Sequence, residues 1–92
     1  MIRNNRHKGL AALYHDDETR GVHQAHVKRL RQILALLDSA TAVADMNAPG
    51  LRLHTLRGSL QGFYAVTVSG NWRVIFRFQD GGALGVEYLD YH

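Results

Sequence analysis

Apolar positions in the first half of the chain recur at helical spacing. Leu10, Leu13 and Tyr14 stand at i, i+3 and i+4, which predicts a short helix with Asn4 or Asn5 as its cap. The Asp16-Asp17-Glu18 cluster should end it, because anions are unfavourable at a helix C-terminus. Gly21 then turns the chain. From about Gln24 to Ala40 the set Val27, Leu30, Ile33, Leu34 and Leu37 forms one stripe of a longer amphipathic helix, with Lys28, Arg29, Arg31 and Gln32 on its other side.

"TAVADMNAPG" is irregular and allows one short helical turn around Ala42 to Met46. Beyond Leu51 the period changes to two. "LRLHTL", "GFYAVTV", "NWRVIFRF" and "ALGVEYLDY" read as strands, and the last two junctions, "SG" and "DGG", have hairpin composition. In the third strand Trp72, Val74, Phe76 and Phe78 face one way and Arg73, Ile75 and Arg77 the other, so the aromatic face should pack on the helices. Ile2 to Asn4 is a candidate for one more strand. The expected architecture is a single α+β domain over residues 1–92, in the order βααββββ. Two N-terminal helices cover one face of a mainly antiparallel, four- to five-stranded sheet, and cations occupy the other face.

Counting from the turns brings distant residues together. A two-residue turn at Ser69-Gly70 pairs Val68 with Asn71 and sets Arg73 opposite Val66. A loop at Asp80-Gly81 sets Arg73 opposite Tyr88 and Asn71 opposite Asp90, and one extra residue slips this register by one. Folding "LRLHTL" back through "RGSLQ" places His54 roughly opposite Tyr64, near the level of Ile75. His54, Arg57, Arg73, Tyr91 and His92 then form one constellation at the rim of the sheet.

Composition narrows the chemistry. The chain has no cysteine, hence no disulfide, no thiolate nucleophile and no zinc–thiolate centre, which suits a reducing cytoplasm. No apolar run approaches the ~20 residues that span a bilayer, and no leader pattern opens the chain, so a soluble protein without membrane contact is expected. Eleven Lys and Arg against eight Asp and Glu leave a net charge of +3, with six histidines besides. That balance tolerates a polyanion such as RNA.

Cutting RNA through its own 2′-hydroxyl needs a base for that proton, cations for the charge that grows on phosphate oxygens, and an acid for the 5′-oxygen. Imidazole, with an unperturbed pKa of ~6.5, serves as base or acid. Arg57 and Arg73 can grip two phosphate oxygens at once. Tyr91 offers a proton or a stacking surface. In His92 the neighbouring α-carboxylate favours the imidazolium, which suits the acid. No metal or other cofactor is called for. Taken singly, each of these residues is an ordinary solvated side chain, and Lys28, Arg29 and Arg31 read first as a wet helix face; convergence alone raises the functional reading. His7, His15, His23 and His26 read as surface residues, and His23 with His26 lacks a third metal ligand.

Several stretches, "MIRNNRHKGLAALY", "MNAPGLRLHTLRG", "GFYAVTVSGNWRVIFRF" and the terminal "DYH", resemble the HigB-type toxins of the RelE superfamily over essentially the whole chain. The resemblance implies a ribosome-dependent endoribonuclease of a type II toxin–antitoxin pair, acting at the ribosomal A site on translated mRNA and leaving a 2′,3′-cyclic phosphate and a 5′-hydroxyl. It implies a HigA-type helix-turn-helix antitoxin as partner, operator DNA only through that complex, and activity carried by His54, Arg73, Asp90, Tyr91 and His92, with Asp90 orienting a neighbour. Lys28, Arg29, Arg31 and Arg77 become candidates for RNA or ribosome contact. Many relatives carry lysine where this chain has Arg57, which as a guanidinium can only be an electrostatic clamp. Two other readings use the same fold: a ParE-type gyrase poison without this acid–base set, and a plain RNA- or protein-binding module.

Overall fold

A computed structural model describes residues 1–91. Helix α1 spans Lys8–Asp16 and α2 spans Val27–Ser39, followed by β1 (His54–Thr55), β2 (Tyr64–Ser69), β3 (Trp72–Gln79) and β4 (Gly82–Asp90). The four strands form one antiparallel sheet in chain order. The α+β reading holds, with one helical layer on one face.

Helix boundaries follow the sequence signals, with local exceptions. His7, not Asn4 or Asn5, caps α1: its Nδ1 accepts from the Leu10 N–H at 3.1 Å. Asn4 is occupied elsewhere, its Oδ1 accepting from the Gly85 N–H. Asp17 stops α1 in a left-handed conformation, φ 54°. The second helical segment begins at Gln24 as expected, but Gln24–His26 winds as a 3-10 turn before α2. Leu30, Ile33, Leu34 and Leu37 are the buried stripe of α2. A further 3-10 turn at Val43–Met46 is steadied by Asp45, whose carboxylate accepts from the Thr41 and Ala42 N–H groups at 2.9 and 3.2 Å and is thereby held below the usual carboxylate range.

The N-terminal segment pairs with β4 in parallel, but only as separate bridges, Ile2 with Ala83 and Asn5 with Val86, instead of a full fifth strand. The cause lies in β4. Gly85, at φ 61°, falls where the pairing with β3 shifts by one residue, so Gly85 and Val86 together face Phe76. Such a bulge needs a residue tolerant of positive φ, and it breaks the neighbouring ladder. The Asn4 side chain takes the Gly85 N–H inside that gap.

The two apolar clusters lie on opposite faces. The main one joins both helices to Val66, Val74, Phe76, Val86 and Tyr88. A smaller one, Leu56, Ala65 and Ile75 with Leu60, Phe63, Leu89 and Tyr91 packed against it, sits on the face away from the helices. That face carries the expected cations Arg73 and Arg77 around an apolar patch.

Gly9 of α1 and Gly21 meet backbone to backbone: a Cβ on Gly9 would stand 2.0 Å from the Gly21 carbonyl oxygen. Neither position could carry a side chain without driving the Arg20–His23 segment off the helix. Gly9→Ala is expected to destabilise the domain by roughly 1–3 kcal/mol, the usual cost of overpacking. Urea unfolding checks this: the midpoint falls at unchanged slope, and an unmoved midpoint means the two backbones part without cost.

Candidate active site

His54 occupies a two-residue edge strand and is exposed. Its Nδ1 lies 2.8 Å from the Arg52 carbonyl oxygen. A carbonyl only accepts, so Nδ1 carries the proton and the lone pair of the neutral ring belongs to Nε2. Arg52 reaches this geometry at φ 54°, a left-handed conformation that costs a non-glycine residue of order 1–2 kcal/mol. Backbone strain thus sits one residue pair before the imidazole whose tautomer it sets, as strained backbones often do at sites of chemistry.

Register departs from the simple count by one residue in each case. The β2–β3 turn is Gly70-Asn71, closed by Ser69 opposite Trp72, and Val68 is an extra residue, so Arg73 faces Thr67 instead of Val66. The Asp80-Gly81 hairpin is as expected, both residues at positive φ, but the Gly85 bulge then moves Arg73 from Tyr88 to Leu89 and pairs Trp72 with Asp90. His54 faces Ala65, with Tyr64 opposite Thr55.

Directly paired residues share a sheet face. His54 thus shares its face with Ala65 and Ile75, and Arg73, two residues along β3, shares it too. Two strand spacings of about 4.8 Å and two residues of about 3.3 Å separate their Cα atoms, roughly 12 Å in all. Tyr91 lies on that face, packed into the Leu56–Ala65–Ile75 cluster, while its N–H donates to the Asn71 carbonyl at 2.8 Å. Arg57, expected in this group, does not join it: the Leu56 N–H donates to the Phe63 carbonyl, which sets Arg57 beyond the level of Phe76, whereas Arg73 lies level with Thr67. Arg57 borders instead a cavity of about 520 Å³ with Thr55, Gln61 and Gly62. Asp90, paired with Trp72, is assigned by register to the opposite, helix-side face. His92 lies outside the described residues.

The Arg73 guanidinium is held from one end. Nη1 donates to the Gly70 and Trp72 carbonyls at 2.6 and 3.1 Å. Nε is buried without a hydrogen-bond partner, as is Oγ1 of Thr67 on the paired residue. An unpaired buried donor is costly and rare. Both residues lie on the sheet face that carries His54. Neither Thr67 nor Arg52 was singled out from the sequence: the first needs the bulged register, and the second has no signal beyond the nearby Gly50.

The other candidate cations separate by face. Arg77 is exposed on the same face, its guanidinium 5.3 Å from the centroid of the Phe63 ring. Lys28, Arg29 and Arg31 are on α2, behind the sheet. Arg29 donates to the Gly50 carbonyl at 2.7 Å and Arg31 pairs with Asp17 at 2.8 Å. Among the described residues no three His, Cys, Asp or Glu side chains are grouped to hold a metal ion, and no helix is long and apolar enough to cross a membrane.

One histidine expected at the surface is instead buried. His26 is 8% exposed and its Nδ1 lies 2.7 Å from the Tyr88 phenol oxygen. Burial, and then the charge of nearby His23, push its pKa down, while burial raises that of Tyr88. The sign follows from linkage. Below ~6.5, the unfolded value, the unfolded chain takes up a proton that folded His26 refuses. Stability present above that pH is lost as pH falls toward the folded pKa. Wild type is expected to lose more stability between pH 7 and 5 than His26→Gln does, read as urea midpoints at each pH; equal losses would show that His26 is not the group responsible.

Residues 3–92 match the model of the HigB-like toxins, described as RelE-like toxins of the type II toxin–antitoxin system HigB. The chain belongs to the HigB-like toxin family. It is 38% identical over 92 residues to the Endoribonuclease HigB of Proteus vulgaris, covering 100% of both chains. It is 36% identical over 87 residues to Toxin HigB-1 of Vibrio cholerae, covering 92% of this chain and 90% of that one. As a type II toxin, this HigB-like protein has an antitoxin as its partner.

Proposed function

We propose that this HigB-like toxin is a ribosome-dependent endoribonuclease that cuts translated mRNA in the cytoplasm by acid–base chemistry, with the substrate's own 2′-hydroxyl as nucleophile. The observation that carries this reading is the placement, on one sheet face, of an imidazole with a defined basic nitrogen and a guanidinium about 12 Å from it, Cα to Cα. The name of the Proteus vulgaris relative supports RNA as the substrate.

His54 Nε2 accepts the 2′-hydroxyl proton as O2′ bonds to phosphorus. The P–O5′ bond breaks, leaving a 2′,3′-cyclic phosphate, and the departing 5′-oxygen takes a proton from Tyr91 or His92. Arg73 carries the charge that develops on the non-bridging oxygens, and Arg57, further along the sheet, adds only longer-range positive charge. No metal enters this route. Asp90, on the other face at the level of Trp72, orients a neighbour and transfers no proton. Arg77 and Lys28 are the exposed cations placed to meet ribosomal RNA or mRNA, whereas Arg29 and Arg31 already hold protein partners and contribute through what remains of their charge. The antitoxin is of HigA type with a helix-turn-helix, and operator DNA is engaged only through the toxin–antitoxin complex.

Primer extension on an mRNA from cells expressing the toxin, with and without translation of that message, tests the reading. Cuts within codons that vanish when the start codon is removed are expected. Cuts that persist without translation overturn the ribosome dependence. Absence of all cutting, together with inhibited DNA supercoiling, points to the ParE-type alternative.

A further inference from the structure

Behind the proposed catalytic face, at the same end of the sheet, lies a second site built from side chains the nuclease mechanism does not use. A cleft of about 310 Å³ is walled by His7, Arg20, His23, Trp72 and Tyr88, at the lower end of the roughly 300–1,000 Å³ of small-ligand sites. Its rings form a connected array: Trp72 lies 4.8 Å from Tyr88, His23 4.7 Å from Trp72, and His7 5.1 Å from Tyr88, centroid to centroid. The His26–Tyr88 hydrogen bond braces the floor. The Gly9–Gly21 contact fixes the wall, since it clamps the segment bearing Arg20 and His23 onto α1.

The polar groups are arranged for a planar, hydrogen-bonding anion. His7 uses Nδ1 as an acceptor for the Leu10 N–H, which leaves its ring proton on Nε2 as a donor. Arg20 is tied to Glu18 through Nε at 3.1 Å, and its side chain is 87% exposed at the cleft's edge. Glu18, held below the usual carboxylate range by that contact, keeps the guanidinium at the rim without covering it. Asp90 shares the face of Trp72 but does not line the cleft, so an anionic group enters from the Arg20 side. Aromatic walls with a cation at the mouth suit a nucleobase and its phosphate, because every base has a π-face to lay against a ring.

Position links this cleft to the substrate. Trp72 and Arg73 are consecutive on β3, one on each face, and the sheet ends beside them at the Gly70-Asn71 turn and at Asp90. A single strand of RNA held by Arg73 on one face needs only to round this edge to reach the rings on the other. We propose that the cleft is a second nucleotide subsite, which takes the base and phosphate of a nucleotide flanking the cut; this rests on the reading of the protein as an RNA-cleaving enzyme.

Trp72 is the only tryptophan in the chain, so its fluorescence reports on the cleft directly. The full-length toxin is titrated with AMP, GMP, CMP and UMP, with a 2′-deoxy trinucleotide that cannot be cut, and with inorganic phosphate as control. A saturable change in emission with at least one nucleotide is expected, about tenfold weaker in Arg20→Ala and in His23→Ala and unaltered in His54→Ala. A tenfold loss corresponds to about 1.4 kcal/mol. The same two substitutions should leave cutting in place while changing which nucleotides flank the cuts. No saturable change with any nucleotide, an equal response to phosphate alone, or a response undiminished in both cleft variants overturns the subsite. Loss of cutting in His54→Ala tests the nuclease reading separately, and because the fluorescence titration involves no cleavage, either can fail while the other stands.

Discussion

His54→Ala lowers mRNA cleavage by about 10²–10⁴-fold, the span over which one positioned acid or base acts. The size of the effect follows from what the Arg52 carbonyl does. Because that oxygen accepts from Nδ1, the neutral ring is held in the tautomer whose free ring-nitrogen lone pair is on Nε2. His54→Gln retains a side-chain amide without a basic nitrogen, so it should be as inactive as alanine. The side chain is exposed on a short edge strand, and truncation should leave the unfolding free energy, read from urea titration, within about 0.5 kcal/mol of wild type, as for surface positions generally. Cleavage is read by primer extension during translation. A properly folded His54→Ala variant that cuts at the wild-type rate removes the base from the mechanism.

Arg73→Gln and Arg73→Lys separate charge from geometry. Removing a donor aimed at developing charge costs about 10²–10³-fold. Lysine keeps the charge but lacks the fork: its three N–H donors radiate from one nitrogen, so an ammonium seated at the Gly70 and Trp72 carbonyls does not also place donors where the other guanidinium nitrogens lie. The expectation is therefore that lysine rescues little: both variants fall in that range in single-turnover cleavage. Full activity in Arg73→Lys shows that a point charge suffices and that the unfilled Nε has no part in binding phosphate. Thr67→Val shares the test, since it removes the other orphaned atom at nearly unchanged volume.

Much of this is readable in advance, for identifiable reasons. The helical stripe Leu30–Ile33–Leu34–Leu37 and the alternation along Trp72–Phe78 each sum several apolar residues over one period; burial followed the first, and Trp72, Val74, Phe76 and Phe78 pack in the helix-side core while Ile75 is buried on the other face. The Asp80-Gly81 hairpin was legible because positive φ at both positions favours those residue types. His26 was misplaced because one histidine in a polar stretch carries no period, and its burial depends on Tyr88, sixty-two residues away. The N-terminal cap was misplaced for a similar reason: Asn4 is drawn to the Gly85 N–H, and His7 is left to cap the helix.

The amino-acid sequence by itself determined the elements, the face that packs on the helices, and the placing of His54 and Arg73 on the other, since local periodicity and turn chemistry act between near neighbours. Tertiary structure alone decided the register. The extra residues at Val68 and Gly85 shift every pairing beyond them by one, and a bulge's position is set by how the strand must bend over its core, which no local pattern encodes. That shift puts Thr67 beside Arg73, sends Asp90 to the face of Trp72 and brings Tyr91 to the face of Arg73.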